Sequence, residues 1–402
     1  MRGPPSPRGV PLLRTWFAAV SIPRSLSRRT PLTLVLCAAA LLLAACGGGG
    51  DGGPTQPTQT LNVTVTGRME RGSTVTVAVT LNGAPVNAAD YTLSVQPSDA
   101  IQIVDNTTVK LLKAGSVTVT ATNANKAKGT AQFTIAAPPV VVFDRVTNSN
   151  RDIWRIDLDG QNEQQLTTDP GDDQDPTVAQ GTVVFVSYRS GNADLWSVPL
   201  AGGTNTRLTT TVKDETTPAL SADGQKLAFS YLESDVTKIY VSAANGSSPQ
   251  RAAPGFGFDG SIETYPTWGT GGALAFVATN NGTADIFGMT PSTAPTLLAG
   301  GNQAEVEPAY SPDGKTLAFV SNRSGTVEIY LLTVATGQVT QLTSGAGTKA
   351  QPAWTPDGRI VYTETLNGAT HLRWIDPAAP GTTYLIDTGA GAVGHPAATA
   401  AP

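Results

Sequence analysis

The sequence predicts an all-β protein, in which a small β-sandwich precedes a six-bladed β-propeller. Two observations carry this expectation. Charged residues make up only 14 % of the 402-residue chain while 42 glycines and 29 prolines punctuate it, a composition that favours strands and turns over helices. From Val140 onward a single sentence is written repeatedly: "TPALSADGQKLAFSYLESDVTKIYVS", "EPAYSPDGKTLAFVSNRSGTVEIYLL" and "QPAWTPDGRIVYTETLNGATHLRWID" share one plan.

The first 45 residues stand apart from the fold. They hold six arginines and no acidic residue, and the apolar run "PLTLVLCAAALLLAA" ends at Cys46. A basic region before a short, alanine-rich apolar run is the pattern of a secretory signal peptide. Its end, "LAAC" (Leu43 to Cys46), resembles the lipobox of bacterial lipoproteins, which implies diacylglycerol attachment at Cys46 and removal of residues 1–45. Cys37 would leave with the signal, so Cys46 is the single cysteine expected in the exported chain. No disulfide and no cysteine metal site is then expected. Loss of six arginines leaves 20 basic against 31 acidic residues, a net charge of about −11. That balance argues against a nucleic-acid partner, and it leaves the acyl chains as the membrane contact.

Residues 46–60, "CGGGGDGGPTQPTQT", read as a linker: glycines make its first half flexible, and the Pro-Thr-Gln half is extended. From 61 to 137 the runs "LNVTVTG", "STVTVAVTLNG", "YTLSVQP", "TTVKLLKAGSVTVTATN" and "GTAQFTIAA" alternate with period two between turn residues, as in an antiparallel sandwich. The segment "SDAIQIVDNTTVKLLKAGSVTVTATN", with Gly115 before its last long strands, resembles the group 2 bacterial immunoglobulin-like domains. That resemblance implies an Ig-like spacer or adhesive module. Pro138 and Pro139 mark the boundary to the next domain, 140–402.

In that domain three landmarks recur. An aromatic closes a short apolar strand at Phe143, Phe185, Phe229, Phe276, Phe319 and Tyr362. A second falls at Trp154, Trp196, Tyr240, Phe287 and Tyr330, with Arg373 in the sixth slot and Trp374 one residue later. A proline opens another strand at Pro176, Pro218, Pro266, Pro308, Pro352 and Pro396. Successive copies are 42 to 48 residues apart, the period of propeller blades. "SPDG" (Ser311 to Gly314) and "TPDG" (Thr355 to Gly358) supply tight turns. A single four-stranded sheet cannot bury both faces, so the aromatics are expected to face the next blade. Val140 begins without a proline strand of its own, and "HPAATAAP" at the C-terminus is expected to pair into the first blade and close the ring.

The "P.WSPDG..IAF.S.R.G...IY" pattern resembles the six-bladed propeller of the TolB family of the periplasmic Tol–Pal system. The resemblance covers Val140 to Pro402. It implies the propeller fold and a protein-binding role in the envelope. The chain departs from that family in having a lipid anchor and a β-sandwich where the family has an α/β domain. Binding to the peptidoglycan-associated lipoprotein is therefore not carried over.

Catalytic constellations are sparse. The histidines are two, His371 and His395; no "GxSxG" elbow or P-loop occurs, and "GGGG" after Cys46 is linker. A histidine metal site, a Ser-His-Asp triad and a cofactor are not expected. His395 precedes Pro396 where other copies carry Asp175, Thr217, Tyr265, Glu307 and Gln351, and reads as a variable surface residue. Three residues before four of the prolines lie Asp173, Glu215, Glu263 and Glu305, followed by Lys349 and Val393 in the remaining copies. These four acids are a candidate rim at one channel mouth for a basic partner segment or a hard cation. The competing reading is that they pair with arginines such as Arg189 and Arg323 and brace the loops.

The sequence therefore points to a monomeric, non-enzymatic lipoprotein that binds or scaffolds an envelope protein. The alternative is a carbohydrate-active propeller, either glycan binder or polysaccharide lyase. Gly47 follows Cys46 where an aspartate would signal inner-membrane retention, so outer-membrane delivery is expected.

Overall fold

A computed structural model describes residues 60–401, apart from 257–260, 281 and 292. The signal, Cys46 and most of the linker lie outside the described residues. Strands dominate what is described. Its helical segments are two 3-10 turns, Ala88–Asp90 and Thr270–Gly272, and no helix among the described residues is long and apolar enough to cross a membrane.

The N-terminal domain is built from two antiparallel sheets. One has the order Leu61–Thr66, Thr74–Leu81, Thr108–Leu111, Ile101–Asp105, with Ala84–Pro85 paired to Thr74–Leu81. The other contains Tyr91–Gln96, Gly115–Asn123 and Lys128–Ile135. Period-two alternation sends Val75, Val77 and Val79 from one sheet, and Val117, Val119 and Ala121 from the other, into one shared core. Gly115 opens its strand at φ +133°, a conformation that penalises any Cβ.

Six four-stranded antiparallel sheets follow. In blade 2, inner to outer, the strands are Asp173–Ala179, Thr182–Ser187, Asp194–Pro199 and Thr206–Arg207. Blades 3 to 6 repeat this order, with inner strands Glu215–Leu220, Ile262–Trp268, Glu305–Tyr310 and Thr348–Trp354. Blade 1 is composite. Val140–Thr147 and Asn150–Asp157 come from the start of the domain, and the inner strand, Val393–Thr399, comes from the end of the chain. The C-terminal strand thus closes the ring and leaves no inner edge on Val140–Thr147.

The repeated landmarks have physical jobs. The two aromatic series are cross-strand partners: Phe143 opposes Trp154, Phe185 opposes Trp196, Phe229 opposes Tyr240, Phe276 opposes Phe287 and Phe319 opposes Tyr330. In blade 6 Tyr362 opposes Arg373, which pairs with Glu364 at 2.5 Å. The Phe/Tyr series is buried, each ring contributing about 1.5–3 kcal/mol. Contrary to expectation, these rings face the preceding blade. Phe185 packs with Val140, Val142 and Ile153 of blade 1, and Phe143 packs with Val361 and Leu372 of blade 6. Alternation guarantees that adjacent residues face opposite blades; it does not say which parity meets which neighbour.

The "SPDG" turns are held as their chemistry suggests. Ser311 Oγ donates to Asp313 Oδ1 (2.7 Å) and accepts from Thr316 N (3.0 Å), while Gly314 adopts φ +69°. Ser221 with Asp223, and Thr355 with Asp357, repeat the arrangement.

Candidate functional site

Each inner strand carries a bulge at the residue pair X-Pro. The pairing to the second strand shifts between Gln174 and Thr177, Thr216 and Ala219, Thr264 and Thr267, Val306 and Ala309, Ala350 and Ala353, and Gly394 and Ala397. The residues skipped are Asp175, Thr217, Tyr265, Glu307, Gln351 and His395, each followed by its proline. Proline has no N–H to give the ladder, so a bulge is its natural place. All six X residues adopt left-handed backbone, with φ between +45° and +56°. For non-glycine residues this costs about 1–3 kcal/mol each and persists only where the surroundings fix it. The six X-Pro pairs together line a central cavity of about 150 Å³.

Hydrogen bonds between neighbouring blades fix three of these conformations. Glu307 Oε2 accepts the amide of Gln351 at 2.6 Å, and Gln351 Oε1 accepts the amide of His395 at 3.0 Å. Asp144, from the second strand of blade 1, accepts the amide of Asp175 at 3.4 Å. In this arc, each bulged N–H is thus received by an acceptor on the preceding blade.

His395 is the hub. Its Nδ1 donates to Asp144 Oδ2 at 2.7 Å, and its Nε2 lies 2.9 Å from Asp175 Oδ1. Asp144 is fully buried and also paired with Arg151. Burial alone would disfavour the imidazolium, but the two carboxylates overcome it and push the His395 pKa up to about 10. Asp144, Asp175 and His395 converge closely enough to form a donor set for a metal ion. In the metal-free protein these two carboxylates hold His395 as the imidazolium at neutral pH. Around this hub, burial raises the Glu307 carboxyl above its ordinary range. Burial, with the charges of Glu307 and Asp175, takes the Tyr265 phenol to about 12.

The sequence-based rim needs correction. Asp173, Glu215, Glu263 and Glu305 do not project into solvent at a mouth; all are at most 1 % exposed. Asp173 pairs with Arg189 at 2.7 Å and Glu305 with Arg323 at 2.8 Å. Glu263 meets Lys238 (3.3 Å) and Arg251 (3.4 Å), and accepts the amide of Ile239. Glu215 has no cation among the described residues; Thr209 and Thr211 donate to it at 2.9 and 2.5 Å, and burial raises its pKa. These acids brace one blade strand against the next. His395 is likewise not a variable surface residue but a channel residue. The two corrections have different causes: the acids belong to the inner strands, not to a channel mouth, while the bulge turns His395 into the channel. The available signal was the X-Pro pair itself, present in all six copies. His371 lies on the exposed outer half of blade 6.

Comparison with known proteins agrees with this architecture. The TolB beta propeller domain family matches residues 293–378. No curated protein matches the chain. Among solved structures, TolB from Acinetobacter baumannii is similar with a TM-score of 0.60 at 16 % identity, over 78 % of this chain and 85 % of that one. A putative TolB from Agrobacterium tumefaciens gives 0.50 at 18 %, over 62 % and 87 %. Hydrazine synthase from Kuenenia stuttgartiensis gives 0.54 at 12 %, over 65 % and 46 %. At these identities the likeness establishes a TolB-like propeller fold.

Proposed function

We propose that this chain is a lipid-anchored protein of the cell envelope whose propeller binds a protein partner at its central channel. In this reading Cys46 carries the acyl anchor, residues 46–60 are the tether, and the sandwich is an immunoglobulin-like spacer. The propeller is the binding head, delivered to the outer membrane.

One observation carries the binding role: six strained, non-glycine residues, one per blade, turn their side chains into one channel. Left-handed backbone at six equivalent positions costs stability that a purely structural strand would avoid, and such strain gathers at functional sites. The chemistry of the ring favours an occupant with a basic or donor-rich side chain. Asp175 and Glu307 present carboxylate oxygens, and a cavity of about 150 Å³ admits a side chain rather than a folded element. His395, held as imidazolium, balances one carboxylate and keeps the arc from collapsing through repulsion.

The test is partner capture in intact cells with the channel altered. Glu307→Gln together with Tyr265→Ala should abolish capture of the envelope partner while the protein is still exported and still melts in one cooperative transition. Undiminished capture by that variant would place the binding surface elsewhere.

A further inference from the structure

A second concavity lies away from the channel, between the sandwich and the outer strands of blades 6 and 1, with a volume of about 690 Å³. Its walls are held rigidly. Arg71 of the sandwich pairs with Asp157 and Asp159 of blade 1, Arg359 of blade 6 reaches back to Glu70 at 2.8 Å, and Arg68 spans Asp357 and Asp376. A cleft of this size, at a domain junction fixed by arginine–carboxylate pairs, is a preformed ligand site in dimensions and placement.

Its lining has an unusual composition. Trp374 and Tyr384 stack in parallel, with ring centroids 4.0 Å apart and planes at 14°. Tyr384 is 45 % exposed, and Leu385 beside it 54 %. Stacking fixes the Tyr384 ring at a wet surface, where a mobile tyrosine would otherwise lose entropy on binding. Ser73, Thr74 and Thr382 also line the cleft, and their hydroxyls have no hydrogen-bond partner among the described residues. The arginines of the clamp are all engaged by carboxylates; Lys110, exposed on the sandwich wall, has no ion pair among the described residues.

We infer that this cleft is a saccharide-binding site, with a preference for acidic sugars. A sugar ring offers one face of C–H groups and an edge of hydroxyls. The first packs on a flat aromatic platform, and the second exchanges hydrogen bonds with free hydroxyls. A sugar carboxylate would meet Lys110, the cation not already neutralised. The site is separate from the propeller channel, so it stands or falls independently of the partner-binding role proposed there.

The test is titration calorimetry on the full chain, solubilised in a detergent without a sugar headgroup, with trigalacturonate, cellotriose and chitotriose. Saturable binding of trigalacturonate is expected. It should weaken by roughly tenfold or more in Tyr384→Ala, the cost of losing one good contact surface of about 1.4 kcal/mol. Lys110→Gln should weaken trigalacturonate and leave any neutral-sugar binding unchanged. Both side chains are exposed, so melting curves should match the wild type and exclude unfolding as the cause. Absence of saturable binding of all three sugars at millimolar concentration would overturn the inference. So would binding that Tyr384→Ala does not change, or a stronger response to the neutral sugars than to trigalacturonate.

Discussion

The imidazole of His395 donates to the carboxylate of Asp144 at 2.7 Å, joining residues 251 positions apart in the chain. The bond ties the last strand of the protein to the first strand of the propeller, so it is part of the ring's fastening as well as of its channel. Its strength depends on a proton. The His395 pKa is raised from 6.5 to about 10 in the folded state, so the folded form binds that proton more tightly than the unfolded form does. The resulting stabilisation is complete below pH 6.5 and is lost as pH rises toward 10. Arg151, Asp175 and Glu307 share the field, and none of them removes this sign. The melting temperature of the wild type should therefore exceed that of His395→Gln most at pH 6, and the gap should narrow steadily to pH 10. A gap that does not change with pH would mean that the histidine is not charged in the fold.

Ring closure gives a second expectation. Removing the chain after Ala390 strips the inner strand from blade 1, bares the edge of Val140–Thr147 and uncovers the core that Val393 shares with Phe143 and Val361. The melting temperature should fall by about 10 °C or more, taking about 2–4 °C per kcal/mol for a domain of this size. Differential scanning calorimetry of the truncated chain checks this.

Two buried glutamates, equivalent in the repeat, should respond in opposite ways to the same substitution. Glu263→Gln leaves Lys238 and Arg251 without their carboxylate in a buried setting. The expected loss is about 3–5 kcal/mol, the usual consequence of orphaning one side of a buried pair. Glu215 has hydroxyl donors and no cation among the described residues, and burial raises its pKa above 4.5. Its folded form therefore favours the protonated state, and the ionised state costs stability once pH exceeds that value. Glu215→Gln should raise the melting point at pH 8, on the order of 1 kcal/mol, and the advantage should vanish below about pH 4. Denaturant melts of both variants at the two pH values separate the cases.

The arginine clamp yields a fourth. Arg71→Ala removes the contacts to Asp157 and Asp159 without touching the core of either domain. The sandwich should then swing on its junction at Pro138 and Pro139. Small-angle scattering should report a larger radius of gyration and a broader distance distribution, with the propeller melting transition unchanged.

How much of this was legible beforehand follows from what kind of information each feature uses. The blades were readable because Phe185, Trp196 and Pro176 recur with their counterparts at a nearly constant spacing, and periodicity is local. The closing strand at His395 was readable because blade 1 lacked a proline strand at one end and the chain supplied one at the other. Asp173 and its equivalents were misplaced because they were read as ringing a channel mouth, whereas they sit at the start of the inner strands, paired to the second strand and buried. The direction in which Phe143 faces was not legible either, since parity alone does not name a neighbour. The clamp between Glu70 and Arg359 spans 289 residues and depends on how two domains meet, which no local pattern encodes.

The most direct test of the proposed role is site-specific photocrosslinking from the channel in living cells. A crosslinking amino acid at Tyr265 should trap one defined envelope protein. The product should disappear when Glu307→Gln is added, and it should be absent when the crosslinker is moved to the outer-strand position Leu297. Trapping that is equal from Tyr265 and Leu297, or that survives Glu307→Gln undiminished, would contradict a partner seated in the channel.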